Sequence, residues 1–291
     1  MNKVLLLGAS GYIGGTFKAA LVKRNYQTLT PARDQMNYCK FEVLRQYIQE
    51  QGGIDFLINA AGFTGKPNVE QCEIKRGETI QGNLLLPQML SHLAALEDFR
   101  WLQIGTGCIY NGDNDGKGYT EEDKPNFSFK YNNCSFYSGV KGLAEDYLKT
   151  DSNCYICRLR IPFDNIDNSR NYISKLINYE ITYNNINSIS HIEEFVDICI
   201  GLYERNCPTG IYNICNENGI STKEVVDLIK DNLIIKKEFK YFKDDSEFYK
   251  VAKVPRSNCV LNVNKIKSMG FKIRTAKEAV LESLQSWEKS Y

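Results

Sequence analysis

Apolar positions in the first half of the chain change period repeatedly, from short continuous runs to spacings of three and four residues and back. Lys3 to Leu7 is an apolar run of strand length, and Phe17, Ala20 and Leu21 after it share one helix face. Further strands are predicted near Gln27 to Thr30, over Ile54 to Ile58, over Trp101 to Ile104 and over Tyr155 to Arg160. Between them the spacing predicts helices over Phe41 to Gln51, Gly77 to Leu96 and Ser135 to Leu148. In the last of these, Val140, Leu143, Ala144, Tyr147 and Leu148 form the expected apolar stripe. Such β-α alternation predicts the α/β class, with a Rossmann-type doubly wound parallel sheet. From Phe163 the pattern loosens into Asn- and Tyr-rich segments, which predicts a smaller C-terminal lobe. There Glu193 to Tyr203 reads as an amphipathic helix and Gly210 to Ile214 as a late strand returning to the sheet. A helix over Thr222 to Leu233 opens with the capping pattern Ser221-x-x-Glu224, and Ala276 to Trp287 is a closing helix.

Charge and composition narrow the kind of partner. With 36 Lys plus Arg against 35 Asp plus Glu, the chain has no basic excess for nucleic acid or an anionic membrane surface. A small-molecule substrate fits better. The opening run is too short for a signal-peptide core, and no apolar run nears the roughly 18 residues of a membrane span, so a cytoplasmic location is expected. Ten cysteines without an export signal read as reduced thiols. Cys154-x-x-Cys157 lies in a strand, where residues three apart point to opposite faces, which argues against a redox or zinc motif. With only His92 and His191 present, no metal site is expected.

Candidate chemistry gathers at the ends of the predicted strands. Gly8-Ala9-Ser10-Gly11-Tyr12-Ile13-Gly14 follows the first strand and opens the first helix. Glycines there permit a tight turn and close approach, and the helix N-terminus faces a pyrophosphate: a dinucleotide fingerprint. This divides the chain into a dinucleotide-binding domain, 1–162, and a mainly substrate-binding lobe, 163–291. Past the second strand, Arg33 favours the 2′-phosphate of NADPH, while the adjacent Asp34 leaves NADH open. Asn59-Ala60-Ala61-Gly62 provides small residues where backbone passes close to a cofactor, and Asn83 is placed to fix backbone nearby. Thr106 and Cys108 follow the fourth strand and face the same crevice. Tyr137 and Lys141 sit one helical turn apart, so an ammonium beside the phenol makes it a usable proton donor to a carbonyl. The same spacing recurs at Tyr249/Lys253, but within the charged run Lys236 to Lys253, read as a solvated face.

Together these features resemble the extended short-chain dehydrogenase/reductase family. Within it the chain is similar to dTDP-4-dehydrorhamnose reductases, and more so to the bifunctional 3,5-epimerase/4-reductases that form the second half of plant-type UDP-rhamnose synthases. The narrower likeness rests on Thr64 to Glu73, Thr106-Gly107-Cys108-Ile109-Tyr110, Glu121 to Phe127, Ser135 to Ser138, Arg170 to Lys175 and Val254 to Asn258. The resemblance implies a reductase triad of Thr106, Tyr137 and Lys141, with Cys108 and Lys175 as an epimerase pair. It implies cofactor contacts from the glycine loop, Arg33, Asn59 to Gly62, Asn83, Tyr137 and Lys141. Thr64, Lys66, Asn68, Thr106, Cys108, Arg160, Asn171 and Arg256 are implied on the substrate side, with Arg256 toward the nucleotide. The implied partners are a UDP- or dTDP-4-keto-6-deoxyglucose and a separate 4,6-dehydratase; a homodimer is left open. Lys66, where plant relatives tend to carry Arg, and divergence after Pro162 leave the base unassigned.

The chemistry needs such a set. Removing the hydrogen at C3 or C5 of a 4-keto sugar leaves charge on the C4 oxygen, which Thr106 and Tyr137 can stabilise. Inversion takes a proton from one face and returns it on the other, so a thiol, ordinarily titrating near ~8.5, and a desolvated lysine suit opposite sides. Two further readings stay open: a reductase alone, supplied with epimerised ketone, and a non-catalytic NADP-binding regulatory subunit. Outside the resemblance, Lys175 reads as a surface lysine, Arg158 and Arg160 as partners of acidic residues, and His191 as a helix-start or surface residue.

Overall fold

The computed structural model describes residues 2–66, 68–235 and 237–288; Pro67, inside the Thr64 to Glu73 segment, and Lys236, at the head of the charged run, lie outside them. The first strands are continuous apolar runs because helices cover both faces of a parallel sheet. β1 (Lys3–Leu7) pairs in parallel with β2 (Gln27–Leu29), Lys3 opposite Gln27, and with β3 (Phe56–Asn59), Val4 opposite Phe56. β4 (Arg100–Thr106) adds to β3, with Asn59 opposite Gln103. β5 (Cys154–Leu159) and the late strand Gly210–Asn213 complete a 6-stranded sheet, ordered late strand, β5, β4, β3, β1, β2. Strand order reverses at β1, so the crevice beside its carboxyl end is where an open α/β sheet takes a ligand.

Helices α1 (Tyr12–Lys23), α2 (Phe41–Glu50), α3 (Gln71–Ile74), α4 (Arg76–Ile80), α5 (Leu86–Glu97) and α6 (Phe136–Leu148) alternate with these strands. Leu5, Leu7, Leu44, Ile48, Leu57, Leu90, Leu93, Trp101 and Ile156 form their common core. The single helix predicted over Gly77 to Leu96 is interrupted: a π-helical turn, Gln81–Leu85, separates α4 from α5. The stripe expected on α6 also differs. Leu143 and Tyr147 are 47% and 44% exposed, and the buried face is Ser138, Gly139, Val140, Gly142, Ala144 and Leu148. Small side chains let α6 approach the π-helical turn and α5 closely, which leaves the bulkier pair outside.

The chain forms two compact units. One comprises Met1–Thr106, Ser135–Cys157 and Val196–Tyr212, and the other Gly107–Cys134, Arg158–Phe195 and Asn213–Tyr291. A single break at 162 therefore does not separate them. The connections after β4 and β5 leave the sheet as excursions belonging to the second unit, since strand-end loops are where α/β folds place ligand specificity. The second unit has its own core of Phe163, Ile173, Leu176, Val225, Val226, Ile229 and Val280, and three two-stranded ladders. In it α7 (Tyr172–Asn178) precedes the helix Thr222–Asn232, whose capping box joins Ser221 and Glu224 as the sequence predicts. His191 is buried there, edge-on to Phe163, immediately before the helix Ile192–Glu204. Among the described residues no helix is long and apolar enough to cross a membrane.

Candidate active site

The glycine loop is shaped by backbone that no side chain can enter. Gly8 has φ +79°, and a Cβ there would lie 2.6 Å from the Ala61 nitrogen and 2.7 Å from the Ala60 carbonyl. Gly14 is tighter, its Cβ position falling 2.0 Å from the Gly8 oxygen. β1, β3 and the start of α1 thus meet at the sheet's switch point. Gly11 caps α1 without a side-chain hydrogen bond, and the first turn holds no acidic residue, so neither a cap nor a charge competes with an anion for the helix N-terminus. Ser10 and Gly11 are exposed, while Tyr12 and Ile13 are half-buried. This cradle fits a dinucleotide pyrophosphate. Gly14→Ala is expected to cost about 3 kcal/mol by overpacking against immovable backbone. Thermal melting and dinucleotide titration check this, with Gly15→Ala, where the nearest atom is 3.9 Å away, as the tolerated control.

Beyond β3, Asn59 is fully buried, donating to Gln103 Oε1 at 2.8 Å and accepting from the Ala61 amide at 3.2 Å. Its side chain ties β3 to β4 and shapes the Ala60–Gly62 backbone. Asn83, carried by the π-helical turn, accepts from the Phe63 amide at 3.1 Å and donates to the Phe63 carbonyl at 2.7 Å. The extra residue of such a turn re-aims a side chain, and here it clamps the loop leaving β3. Arg33, exposed past β2, lies 5.5 Å over the Tyr38 ring. Thr64, Lys66 and Asn68 are exposed in the loop before α3, where Asn68 accepts from the Glu70 amide at 2.9 Å.

Tyr137 and Lys141 lie on the first turns of α6 and are both half-buried. Lys141 Nζ donates to the Ile104 carbonyl at 2.7 Å, which ties the helix to the carboxyl end of β4. Ile104 and Thr106 are two residues apart on a strand, so their side chains share a face. Thr106 is 6% exposed. Two contacts that sequence reasoning missed fix the helix start. Ser135 accepts from the Ser138 amide at 3.2 Å, and Glu73 of α3 accepts from the Phe136 amide at 2.6 Å. Arg76 adds its guanidinium over the Phe136 ring at 4.8 Å.

The remaining predicted residues belong to the second unit. Cys108, half-buried in the turn Gly107–Ile109, takes a hydrogen bond from Arg160 Nη1 at 2.8 Å. Arg158 is buried too, bonding Asn213 Oδ1 at 3.2 Å and lying 5.2 Å over Tyr110. Lys175 is half-buried on α7. Burial, and then the like charge of Arg170, pulls its ammonium below the ordinary lysine range. Tyr179 follows one turn later; burial pushes its phenol up while half-buried Arg256 pulls the other way. Asn171 differs from the expectation of a substrate contact. It is fully buried and caps α7, accepting from the Ile173 amide at 2.9 Å and donating to Asp164 Oδ1 at 2.7 Å. Its role is to seat the helix that carries Lys175.

A dinucleotide cradle at the switch point, in the same unit as a Tyr-Lys helix anchored to the neighbouring strand end, defines an α/β oxidoreductase of the reductase type. The chain belongs to the family whose sequence model is described as the RmlD substrate binding domain, which matches residues 1–289. It is 33% identical over 232 residues, 78% of this chain and 75% of the relative, to a bifunctional dTDP-4-dehydrorhamnose 3,5-epimerase/reductase of Arabidopsis thaliana. It is 30% identical over 289 residues to a trifunctional UDP-glucose 4,6-dehydratase/UDP-4-keto-6-deoxy-D-glucose 3,5-epimerase/UDP-4-keto-L-rhamnose reductase of the same plant. That match takes in 96% of this chain but 41% of the relative, so this chain spans less than half of the trifunctional enzyme. Among solved structures, the L780 UDP-rhamnose synthase of Acanthamoeba polyphaga mimivirus superposes with a TM-score of 0.89 at 25% identity, over 98% of this chain and 99% of that one.

Proposed function

We propose that this chain is an NADPH-dependent bifunctional 3,5-epimerase and 4-reductase converting UDP-4-keto-6-deoxy-D-glucose to UDP-L-rhamnose. The observation that carries the proposal is the coupling of α6 to the end of β4 through Lys141, with Thr106 closing that strand and Cys108 two residues beyond it. The activities of the Arabidopsis relatives and the viral synthase support the same reaction.

Gly8 to Gly14 and the start of α1 would hold the pyrophosphate, and Arg33 the 2′-phosphate that distinguishes NADPH from NADH. Tyr137 and Lys141 would lie along the nicotinamide ribose. When bound, the nicotinamide supplies a hydride to C4. The chain's own part is to move protons. Thr106 and Tyr137 hydrogen-bond the C4 oxygen, where charge collects both when a C3 or C5 hydrogen is removed and when the ketone is reduced. Cys108 and Lys175 exchange protons at opposite faces of the ring. Burial favours the neutral amine of Lys175, so its proton-accepting form is populated at lower pH than for a solvated lysine. Tyr137 finally delivers its proton to the C4 oxygen, and the Lys141 ammonium favours the phenolate left behind. Arg256, near Tyr179, is assigned to the nucleotide end. The keto sugar comes from a separate 4,6-dehydratase, an activity that the trifunctional relative carries in the same polypeptide.

Nicotinamide oxidation, followed by absorbance with the UDP ketone and then its dTDP counterpart, tests this reading. NADPH is expected to be consumed with UDP-4-keto-6-deoxy-D-glucose and no added epimerase, faster than NADH. Consumption only after an epimerase is supplied would reduce the chain to a reductase, and binding without oxidation would leave it a regulatory subunit.

A further inference from the structure

Arg160 is 5% exposed, yet among the described residues no carboxylate pairs with it. An unpaired buried cation is costly, so where its donors go is informative. Nη2 donates to Asn187 Oδ1 at 2.7 Å and to the Ser257 carbonyl, and Nη1 donates to Cys108 Sγ at 2.8 Å. Nε has no partner among the described residues. Both anchors are themselves fixed. Asn187 also accepts from the Cys259 amide at 3.0 Å and donates to Asn258 Oδ1 at 3.1 Å, while Ser257 Oγ donates to the Tyr110 carbonyl at 2.6 Å.

The backbone around this guanidinium is equally constrained. The Arg160 amide donates to Ser190 Oγ at 3.0 Å, and Ile161 beyond it has φ +38°, a strained region for a β-branched residue. Gly107 leaves room for the side chain, because a Cβ there would lie 3.3 Å from Arg160 Cδ and 2.9 Å from Leu261 Cδ1. Burial works against the charge on Arg160, and the Cys108 and Cys259 sulfurs beside it work the other way. Cys259 is 1% exposed and its thiol is pushed up by burial, so it stays protonated and donates to the Gly107 carbonyl at 3.1 Å. Tyr172, whose phenol burial pushes up to about 12, also stays neutral. Cys108 is half-buried, unlike Cys259 beside it.

We infer that Arg160 is the positioning residue of the epimerase half-reaction: it fixes Cys108 Sγ and supplies the positive charge that faces the sulfur while its proton is on the sugar. The inference rests on the reading of Cys108 as a proton-exchanging group. In the exchange the C–H bond breaks on one face of the ring, its electron pair moves into the enolate at the C4 oxygen, and the proton forms the S–H bond; the Lys175 ammonium then breaks an N–H bond to protonate the opposite face of that carbon, and proton exchange with solvent restores thiolate and ammonium. A guanidinium anchored on two other partners and left pointing at the sulfur complements the negative charge the sulfur carries while its proton is on the sugar.

Iodoacetamide alkylation of Cys108, quantified by peptide mass spectrometry on substrate-free protein, tests the coupling apart from any sugar chemistry. Arg160→Gln is expected to slow alkylation at neutral pH by about tenfold. Its kcat for deuterium exchange into the keto sugar falls similarly with KM little changed, and Arg160→Lys restores part of both. Should Arg160→Gln fail to fold, Asn187→Ala, which releases one anchor of the guanidinium, is expected to slow alkylation severalfold. Alkylation within about twofold of the parent in a folded Arg160→Gln or Asn187→Ala protein overturns the inference while leaving Cys108 in place. Undiminished exchange in Cys108→Ser would instead overturn the reading on which it rests.

Discussion

Tyr137→Phe is expected to slow hydride transfer to the L-configured 4-ketone by about 10³-fold, about 4 kcal/mol in the barrier. The substitution removes one oxygen and leaves the backbone contacts at the start of the helix in place. The start of α6 is fixed by Ser135 and by Glu73, both on backbone amides, and Lys141 is anchored separately on the Ile104 carbonyl. The helix start should therefore be retained, which thermal melting of the variant checks. Single-turnover oxidation of bound NADPH is the measurement, because it isolates the step in which the phenol gives up its proton. A rate within about tenfold of the parent would remove Tyr137 as the proton donor and pass that role to a solvent-derived acid.

The second large effect separates the two activities. Cys108→Ser keeps a small hydroxyl at the same place but replaces a thiol with a far weaker acid. Consumption of the D-configured ketone is expected to fall by about 10²-fold or more, the usual worth of a positioned acid-base group. The L-configured ketone, already inverted at C3 and C5, should still be reduced, since Thr106, Tyr137 and Lys141 are intact. A joint loss of both reactions would point to a folding or binding defect. Unchanged turnover of the D-configured ketone would take Cys108 out of the mechanism.

Local order was legible in the sequence wherever one segment carried its own signal. The run from Lys3 to Gly14 contains a strand, a turn that admits only glycine and a helix start, and the structure has β1, a Gly8 at φ +79° and α1 in that order. The late strand Gly210–Asn213 and the Ser221/Glu224 capping box were equally local. The π-helical turn was not, since one added residue leaves apolar spacing over Gly77 to Leu96 nearly unchanged and the partner of its Asn83 is the distant Phe63 backbone. The buried face of α6 was misread because hydrophobicity favours Leu143 and Tyr147, whereas close approach is set by Ser138, Gly139 and Gly142. Glu73 on Phe136 and Arg160 on Cys108 join residues 63 and 52 positions apart, and no periodicity encodes such pairs. Asn171 shows the converse: a residue within a segment of functional likeness whose side chain serves a helix end.

Inversion and reduction by one chain leave a single isotopic pattern in the product. Protein, NADPH and UDP-4-keto-6-deoxy-D-glucose are combined in D2O with no other enzyme, and the sugar is read by NMR. The expected product is an L-rhamnose nucleotide with deuterium at C3 and C5, from solvent exchange at both inverted carbons, and protium at C4, from the nicotinamide. A 6-deoxy-D-hexose nucleotide without deuterium at C3 and C5, or no product until a separate epimerase is added, would contradict it.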